Sequence, residues 1–198
     1  MNKSIIWALL LSQVLFFSLI PIWLELTNHL HSLVIIVVWV CLTGFTFIIA
    51  SVFTNTLFTF PKLLIDFLIV FYSFGLIILL FFRPGMTSYS GINLIPFETV
   101  TLFLFGNVPF LIAFYNISAN VGLFIPFGLY YRYVRKKPRV SELFFMTLLT
   151  ISAIELLQYI TQRGILDIDD LILNTIGVLL GYIAQPILAK VIKITRPL

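Results

Sequence analysis

The chain has 198 residues with a formal net charge of +4, and 61% of its residues are hydrophobic while only 10% are charged. Soluble domains are usually about 45–50% apolar. A soluble fold of this length could not bury so much apolar surface, so the composition predicts an integral membrane protein. Cys41 is the single cysteine, which excludes an internal disulfide and a cysteine-rich metal site.

Several apolar stretches are long enough to be membrane-spanning helices, which need about 20 predominantly apolar residues each. They cover approximately residues 5–24, 33–53, 63–82, 116–133, 143–160 and 170–188. The segments between them leave no room for a soluble domain of useful size. We therefore predict an all-α, polytopic membrane helix bundle of about six transmembrane helices. It would form a single integral membrane domain over residues 1–198.

A further apolar segment, residues 99–115, is interrupted by Gly106, Asn107 and Pro109 and continues directly into the next predicted span. Two full spans cannot be joined without a turn, and irregular backbone is tolerated at membrane depth only where its polar groups are satisfied. We therefore expect residues 99–115 to lie in the membrane interface or to re-enter on the same side.

Two short patterns predict local structure within the spans. Pro126 lacks the N–H that would bond the carbonyl group of Gly122, so a bend is expected at this point of the fourth span. Lys62 and Asp66 are one helical turn apart, which predicts an ion pair near the membrane surface.

Basic residues predict the orientation, because positive charge accumulates on the cytoplasmic side of a membrane. They are concentrated after the fourth and sixth predicted spans, at Arg132, Arg135, Lys136, Lys137, Arg139, Lys190, Lys193 and Arg196. The prediction is a multi-pass protein with both termini in the cytoplasm. Contact with anionic lipids explains the basic loop, and no nucleic-acid partner is expected. Arg83 is an exception to this rule, because the predicted topology places it on the outer side of the membrane. Its expected role is that of an interface anchor or of a residue with a specific partner.

The unusual polar residues converge on the predicted outer side of the membrane. With a rise of about 1.5 Å per helical residue, Asn120 and Asn174 lie about 6 Å below the outer surface and Glu155 about 9 Å below it. A carboxylate within the bilayer costs about 2.5–3.5 kcal/mol on insertion scales, so Glu155 is expected to be functional. Above this level lie Arg83, Asn93, Glu98, Arg163, Asp167, Asp169 and Asp170. The sequence therefore predicts an outward-facing site.

Helical periodicity places polar and small residues on common faces. One stripe of the sixth span carries Asp170, Asn174, Gly177 and Gly181. On the fifth span, Glu155 and Gln158 are three residues apart and share a face. The two glycines would let another helix approach closely, so packing is their expected role.

Three aspartates, Asp167, Asp169 and Asp170, lie together where the last span begins. One acidic residue at a helix start caps the free N–H groups and complements the helix dipole. Three aspartates are more than capping needs, which leaves three hypotheses for the cluster. They are a divalent-cation site, a general acid/base pair, or a charged network that locks the last two spans together. Glu155, Asp167 and Asp170 are the candidate catalytic residues, and the three aspartates are the candidate metal ligands.

Taken together and in chain order, these motifs resemble the VanZ family of bacterial membrane proteins over approximately residues 70–188. Each motif alone is weak, but the combination is specific. The matching elements are Arg83-Pro84, Asn93-Leu94-Ile95-Pro96-Phe97, Asn120, Phe124-Ile125-Pro126-Phe127-Gly128, Glu155-x-x-Gln158, Arg163-Gly164, Asp167-Ile-Asp169-Asp170, Asn174-Thr175-x-Gly177 and Gly181.

The resemblance implies a bacterial plasma-membrane protein of the cell envelope, linked to glycopeptide resistance and above all to teicoplanin. In one hypothesis, a non-enzymatic protein binds a lipid-linked cell-wall precursor, or alters its exposure, at the outer leaflet of the lipid bilayer. In the alternative, a membrane enzyme acts on a lipid or prenyl phosphate held by Arg83 or Arg163. Glu155 with Asp167 or Asp170 would then handle protons or a divalent cation. The candidate ligand-binding residues are Arg83, Asn93, Glu98, Asn120, Gln158, Arg163 and Asn174.

Overall fold

The fold is an all-α membrane helix bundle, as predicted. The computed structural model describes residues 3–27, 33–54, 57–82, 91–106 and 108–195. The chain divides into two compact units, which we call the terminal unit (Met1–Gly85 with Pro186–Leu198) and the central unit (Met86–Gln185). The single integral membrane domain over residues 1–198 stays a prediction.

The described chain alternates helices with very short strands. The helices are α1 (Lys3–Ser18), α2 (Ile20–Thr27), α3 (Leu33–Thr54), α4 (Lys62–Phe81), α5 (Glu98–Phe105), α6 (Phe110–Gly122), α7 (Ile125–Val134), α8 (Val140–Ile160) and α9 (Ile168–Leu188). The strands are β1 (Phe58–Pro61), β2 (Ile92–Asn93), β3 (Leu166–Asp167) and β4 (Ile192–Thr195).

Within the described residues, four helices are long and apolar enough to cross a membrane. They are Lys62–Phe81, Ile112–Val134, Val140–Ile160 and Ile168–Leu188. Shorter apolar helical stretches cover Ile6–Ser18 and Val38–Thr54. The structure thus supports a membrane protein, while the number of about six spans and the orientation of the termini remain predictions.

In the terminal unit, the first predicted span is divided into α1 and α2 by a turn at Leu19. Pro21 explains the break, because it has no N–H for the carbonyl group of Phe17. α1 packs against α3, where the indole N–H of Trp39 donates a 2.9 Å hydrogen bond to the side chain of Gln13.

α4 agrees closely with the third predicted span and carries the predicted ion pair between Lys62 and Asp66. Strand β1, directly before α4, pairs in parallel with β4, with Phe58 opposite Ile192. The sequence analysis did not predict these strands, because neither short segment has a periodicity that separates it from a loop.

In the central unit, α5 and α6 pack against each other as a helical hairpin. α5 is followed by Gly106, and α6 begins directly after Pro109. The predicted interfacial or re-entrant segment, residues 99–115, is therefore not one element, because its second half belongs to α6.

The fourth span begins earlier than expected, because α6 starts at Phe110 and Asn116, where the span was predicted to begin, lies inside it. The side-chain amide of Asn116 donates a 2.8 Å hydrogen bond to the carbonyl oxygen of Ile112, one turn earlier. This local bond satisfies the amide group within an apolar helix. A polar residue in an apolar run was therefore not a boundary here.

α6 and α7 together form the apolar stretch Ile112–Val134, which bends between them. α6 ends at Gly122, and α7 carries Pro126 in its first turn. The bend lies where Pro126 removes the N–H that would bond the carbonyl group of Gly122. The predicted bend is confirmed.

Glycines bring α9 into backbone contact with α6 and α7. A Cβ atom at Gly177 would collide with the carbonyl oxygen of Val121, and one at Gly181 with that of Ile125. α7 also contributes a glycine to this contact, because a Cβ atom at Gly128 would collide with the carbonyl oxygen of Val178 on α9. The predicted packing role of Gly177 and Gly181 is confirmed, since any side chain there would force the helices apart.

Polar contacts lie at both ends of this glycine contact. Asn120 on α6 donates to Asp170 in the first turn of α9, and Arg132 on α7 donates to the carbonyl oxygen of Tyr182. Asn120 and Arg132 are as far apart in the sequence as their partners Asp170 and Tyr182. α6–α7 and α9 therefore run parallel, and the first pair positions the candidate site.

Candidate functional site

Asp169 in the first turn of α9 caps a different helix, α5. Its carboxylate accepts hydrogen bonds from the backbone N–H groups of Phe97 and Val100, the second at 3.0 Å. The first N–H groups of a helix have no partner within it, and a carboxylate complements the positive end of the helix dipole. Asp169 is only 1% exposed, so this cap is a buried tertiary contact.

The residue before α5, Phe97, has a left-handed backbone with φ of 66°. A non-glycine residue in this region costs about 1–3 kcal/mol and persists only where its surroundings hold it. The hydrogen bond from its N–H to Asp169 is one such constraint. A 3.3 Å bond from the N–H of Glu98 to the carbonyl oxygen of Ile95 closes the turn. The start of α5 therefore depends on a residue far away in the sequence.

Asp167 joins the preceding loop to the start of α9. Its Oδ2 accepts a 2.7 Å hydrogen bond from the hydroxyl of Thr99, and its Oδ1 accepts one of 2.9 Å from the N–H of Asp169. The side-chain amide of Asn93 lies 3.5 Å from the same Oδ1, because β2 and β3 pair in parallel with Asn93 opposite Asp167. Asp167 thus acts as a cap for α9 and as an anchor for β2 and α5.

The third carboxylate, Asp170, accepts a hydrogen bond from the side-chain amide of Asn120 on α6. We call Asp167, Asp169 and Asp170 the aspartate cluster. Its members bind three different partners: the β2 loop, the N-terminus of α5 and the side of α6. The cluster therefore fixes both ends of the α5–α6 hairpin to the start of α9.

These contacts give the aspartate cluster a structural role, in which they link α9 to the β2 loop, α5 and α6, whereas the predicted network would lock α8 and α9 together. The catalytic and metal-binding hypotheses stay predictions. Each of the three carboxylates accepts at least one hydrogen bond from another part of this chain. Among the residues that the structure describes, no group of three or more His, Cys, Asp or Glu side chains is arranged to hold a metal ion. The divalent cation stays a prediction.

A second set of polar side chains is buried within α8 and α9. Glu155 and Gln158 on α8, and Asn174 and Thr175 on α9, are each at most 6% exposed. In the described part of the chain, Asn174 Oδ1 and Thr175 Oγ1 have no hydrogen-bond partner. Leaving such a buried atom unpaired costs about 1–3 kcal/mol. Both atoms are therefore able to accept a hydrogen bond from a donor outside the chain. We call these four side chains the buried polar residues.

The turn after α8 is built on Gln158. The carbonyl oxygen of Gln158 accepts a 2.8 Å hydrogen bond from the N–H of Arg163. Gly164 lies so close that a Cβ atom there would be 3.2 Å from Cβ of Gln158. Between them, Gln162 has a left-handed backbone with φ of 57°. This turn leads directly into β3 and so places the aspartate cluster after the C-terminal end of α8.

The sequence matches the model of the VanZ/LLP1 family over residues 67–189, which is more than half of the chain. The chain belongs to the VanZ family. The VanZ-family region starts within α4 and ends just after α9, so it contains the aspartate cluster, the buried polar residues and the glycine contacts. The search of curated proteins found no match, and the search of solved structures found none either.

Within the VanZ-family region, the structure brings some predicted residues together and leaves others apart. Asn93 lies against Asp167, Asn120 lies against Asp170, and the polar pair on α8 shares one buried face. Two other candidates lie at the surface of the protein. Glu98 and Arg163 are exposed at the start of α5 and after α8, and Arg83 lies outside the described residues.

Two residues of the VanZ-family region were missed by the sequence analysis. Thr99 bonds Asp167, and Thr175 is buried beside Asn174 with an unpartnered hydroxyl. Thr99 was missed because it lies in the segment that was interpreted as interfacial. Thr175 stood within the Asn174-Thr175 motif, and its position in the middle of an apolar helix was a signal that could have found it.

Proposed function

We propose that this VanZ-family membrane protein acts in the bacterial cell envelope and lowers susceptibility to teicoplanin. It would bind a lipid-linked cell-wall precursor, or alter its exposure, at the outer leaflet of the plasma membrane. Membership of the VanZ family supports the link to glycopeptide resistance. The membrane helices of the central unit support a ligand that is itself held in the bilayer.

The observation that carries the binding function is the use of the aspartate cluster. A general base or a metal ligand needs lone pairs that are directed at the reacting group. Asp169 instead uses both carboxylate oxygens on the N-terminus of α5, and Asp167 uses both on the β2 loop, α5 and α9. This use of Asp167 and Asp169 favours a protein that binds its ligand over an enzyme that cleaves it.

The buried polar residues supply the chemistry of recognition. Asn174 Oδ1 and Thr175 Oγ1 can accept hydrogen bonds from the hydroxyl or amide N–H groups of a saccharide or peptide moiety. Inside a helix bundle such bonds are favoured by the absence of competing water. Glu155 adds a buried carboxylate on α8. These residues therefore favour a ligand rich in hydrogen-bond donors.

Glu155 also keeps the enzyme hypothesis in view, because it is a buried carboxylate that does not belong to the aspartate cluster. In that alternative, the chain acts on a lipid or prenyl phosphate. Purified protein in lipid vesicles would be given a prenyl phosphate carrying a phosphorus label. Release of labelled phosphate that is lost in Glu155→Gln would establish the enzyme, and a stable complex without release supports the binder.

The direct test of the proposed function is drug susceptibility in a sensitive Gram-positive host. The host would express the wild type or Thr175→Val, with Thr175→Ser as the matched control, at equal membrane abundance. We expect the wild type and the Ser variant to raise the inhibitory concentration of teicoplanin more than that of vancomycin, and the Val variant to lose this effect. No protection by the wild type would reject the proposal.

A further inference from the structure

Two consecutive residues at the start of α9 bind the two ends of the α5–α6 hairpin. Asp169 binds the N-terminus of α5, and Asp170 binds Asn120 on α6. The two helices pack against each other in between. α5 has 8 residues, so the tip of the hairpin lies about 12 Å from the aspartates at about 1.5 Å per residue. The hairpin is therefore an arm with a fixed base and a projecting tip.

The tip of this arm is strongly apolar and exposed. Phe105 at the end of α5 is 84% exposed, and Phe110 at the start of α6 is 81% exposed. Leu102 and Leu104 are both largely exposed although they point to opposite sides of α5. A helix that is apolar all round is found in a protein core or in a membrane. A helix that docks on a single protein partner would be apolar on one face only, which α5 is not.

The sequence around the hairpin favours the bilayer as its surroundings. No charged residue occurs between Glu98 and Arg132. As one straight helix, this stretch would measure about 50 Å, whereas the hydrocarbon core is about 30 Å thick. One straight span cannot accommodate it, and folding the first part back as the α5–α6 hairpin shortens the stretch.

We infer that the α5–α6 hairpin is a lipid-binding arm whose aromatic tip inserts among the acyl chains of bilayer lipids. The leaflet is the one next to the N-terminal end of α9, where the arm is attached. The adjacent carboxylates of Asp169 and Asp170 hold the base, so that the arm keeps a defined depth. This inference is independent of drug resistance and remains open to test if the proposed function fails.

Site-directed spin labelling of the full chain in phospholipid vesicles tests the insertion. Cys41 is the single cysteine, so Cys41→Ser gives a background for one label at a time. Labels would be placed at Phe105→Cys, at Leu149→Cys on the exposed apolar face of α8, and at Lys136→Cys in the basic loop. Collisions with oxygen report lipid, and collisions with a water-soluble nickel chelate report water.

We expect the label at residue 105 to resemble that at 149, with nickel accessibility several-fold lower than at 136. A label at 105 that is as accessible to nickel as the one at 136 would overturn the inference, because the tip would then lie in water. The tip would in that case be a surface for another apolar partner, such as a second copy of the chain.

The role of Asp169 in holding the attached end of the arm is tested in the same Cys41→Ser background, by the mobility of the label at residue 105. Asp169→Asn retains one acceptor oxygen, so the chain still folds but the cap on α5 is weakened. We expect faster motion of the label at 105 and no change at 149. No change at either position, or an equal change at both, would contradict an arm that Asp169 holds.

Discussion

Arg132 donates a 2.8 Å hydrogen bond from Nη1 to the carbonyl oxygen of Tyr182. This carbonyl group lacks its usual helical donor, because Pro186 stands four residues later in α9 and has no N–H. The guanidinium also lies over the ring of Tyr182, 4.4 Å from its centroid. Arg132 was interpreted from the sequence as a marker of orientation, but here it completes the hydrogen bonding of a helix interrupted by proline.

We therefore expect Arg132→Leu to lower the free energy of unfolding by about 1–3 kcal/mol, the cost of an unpaired buried acceptor. Pro186→Ala restores an N–H for the carbonyl group of Tyr182, so the same Arg132 substitution should cost less in that background. Unfolding midpoints of the four proteins in detergent would measure this coupling. Equal losses in both backgrounds would contradict the assignment of Arg132 to this carbonyl group.

The glycine contacts predict a sharp dependence on position. Gly177→Ala would place a methyl group against the carbonyl oxygen of Val121, and overpacking of this kind costs about 1–3 kcal/mol. Gly75 is a matched control in the interior of α4, where no described atom lies within 4 Å of an added Cβ. Gly75→Ala should be neutral or stabilise by up to about 1 kcal/mol, because alanine favours a helix.

Thermal unfolding in matched detergent distinguishes the two glycine variants. A clear loss at Gly177 with none at Gly75 is the expected pattern. Comparable midpoints for the two variants would mean that α9 does not touch α6 through its backbone, and the parallel packing of these elements would have to be revised.

Thr175→Val tests whether the unpartnered hydroxyl is kept for binding. The change preserves shape and removes a buried hydroxyl, so it should raise the free energy of unfolding by about 1 kcal/mol. If the hydroxyl serves the ligand, the same variant loses teicoplanin protection while Thr175→Ser keeps it. Full protection by the Val variant would remove Thr175 from the proposed site, whatever its stability.

The spans were predictable because the length of an apolar run is a local property. The ends of α4, α8 and α9 lie close to the predicted bounds, and the bend at Pro126 follows from its missing N–H. The packing of Gly177 and Gly181 was also predictable, because their spacing repeats that of the helix. These features need no knowledge of the partner segment.

The partners of the aspartates could not be predicted in the same way. Asp169 binds the backbone N–H groups of Phe97 and Val100, and backbone groups carry no side-chain signal in a sequence. The left-handed backbone at Phe97 is a tertiary effect of the same kind. The sequence therefore left the structural, catalytic and metal-binding interpretations of the aspartate cluster open, and the donors that bind the cluster became visible only in the structure.

We propose that the aspartate cluster holds the fold and that the buried polar residues carry the function. The two roles predict different behaviour for two conservative variants. Asp169→Asn replaces one of the two acceptor oxygens that cap α5, whereas Glu155→Gln makes the equivalent change at a buried side chain outside the aspartate cluster. The first should act through stability and the second through activity.

The most direct measurement is therefore the teicoplanin inhibitory concentration per unit of folded membrane protein, for the wild type, Asp169→Asn and Glu155→Gln. We expect Asp169→Asn to lower the unfolding midpoint and the amount of folded protein, with normal protection by the molecules that remain. Glu155→Gln should fold normally and lose protection. If Asp169→Asn instead folds as well as the wild type and abolishes protection, the aspartate cluster is itself the functional site, and the proposed division of roles is wrong.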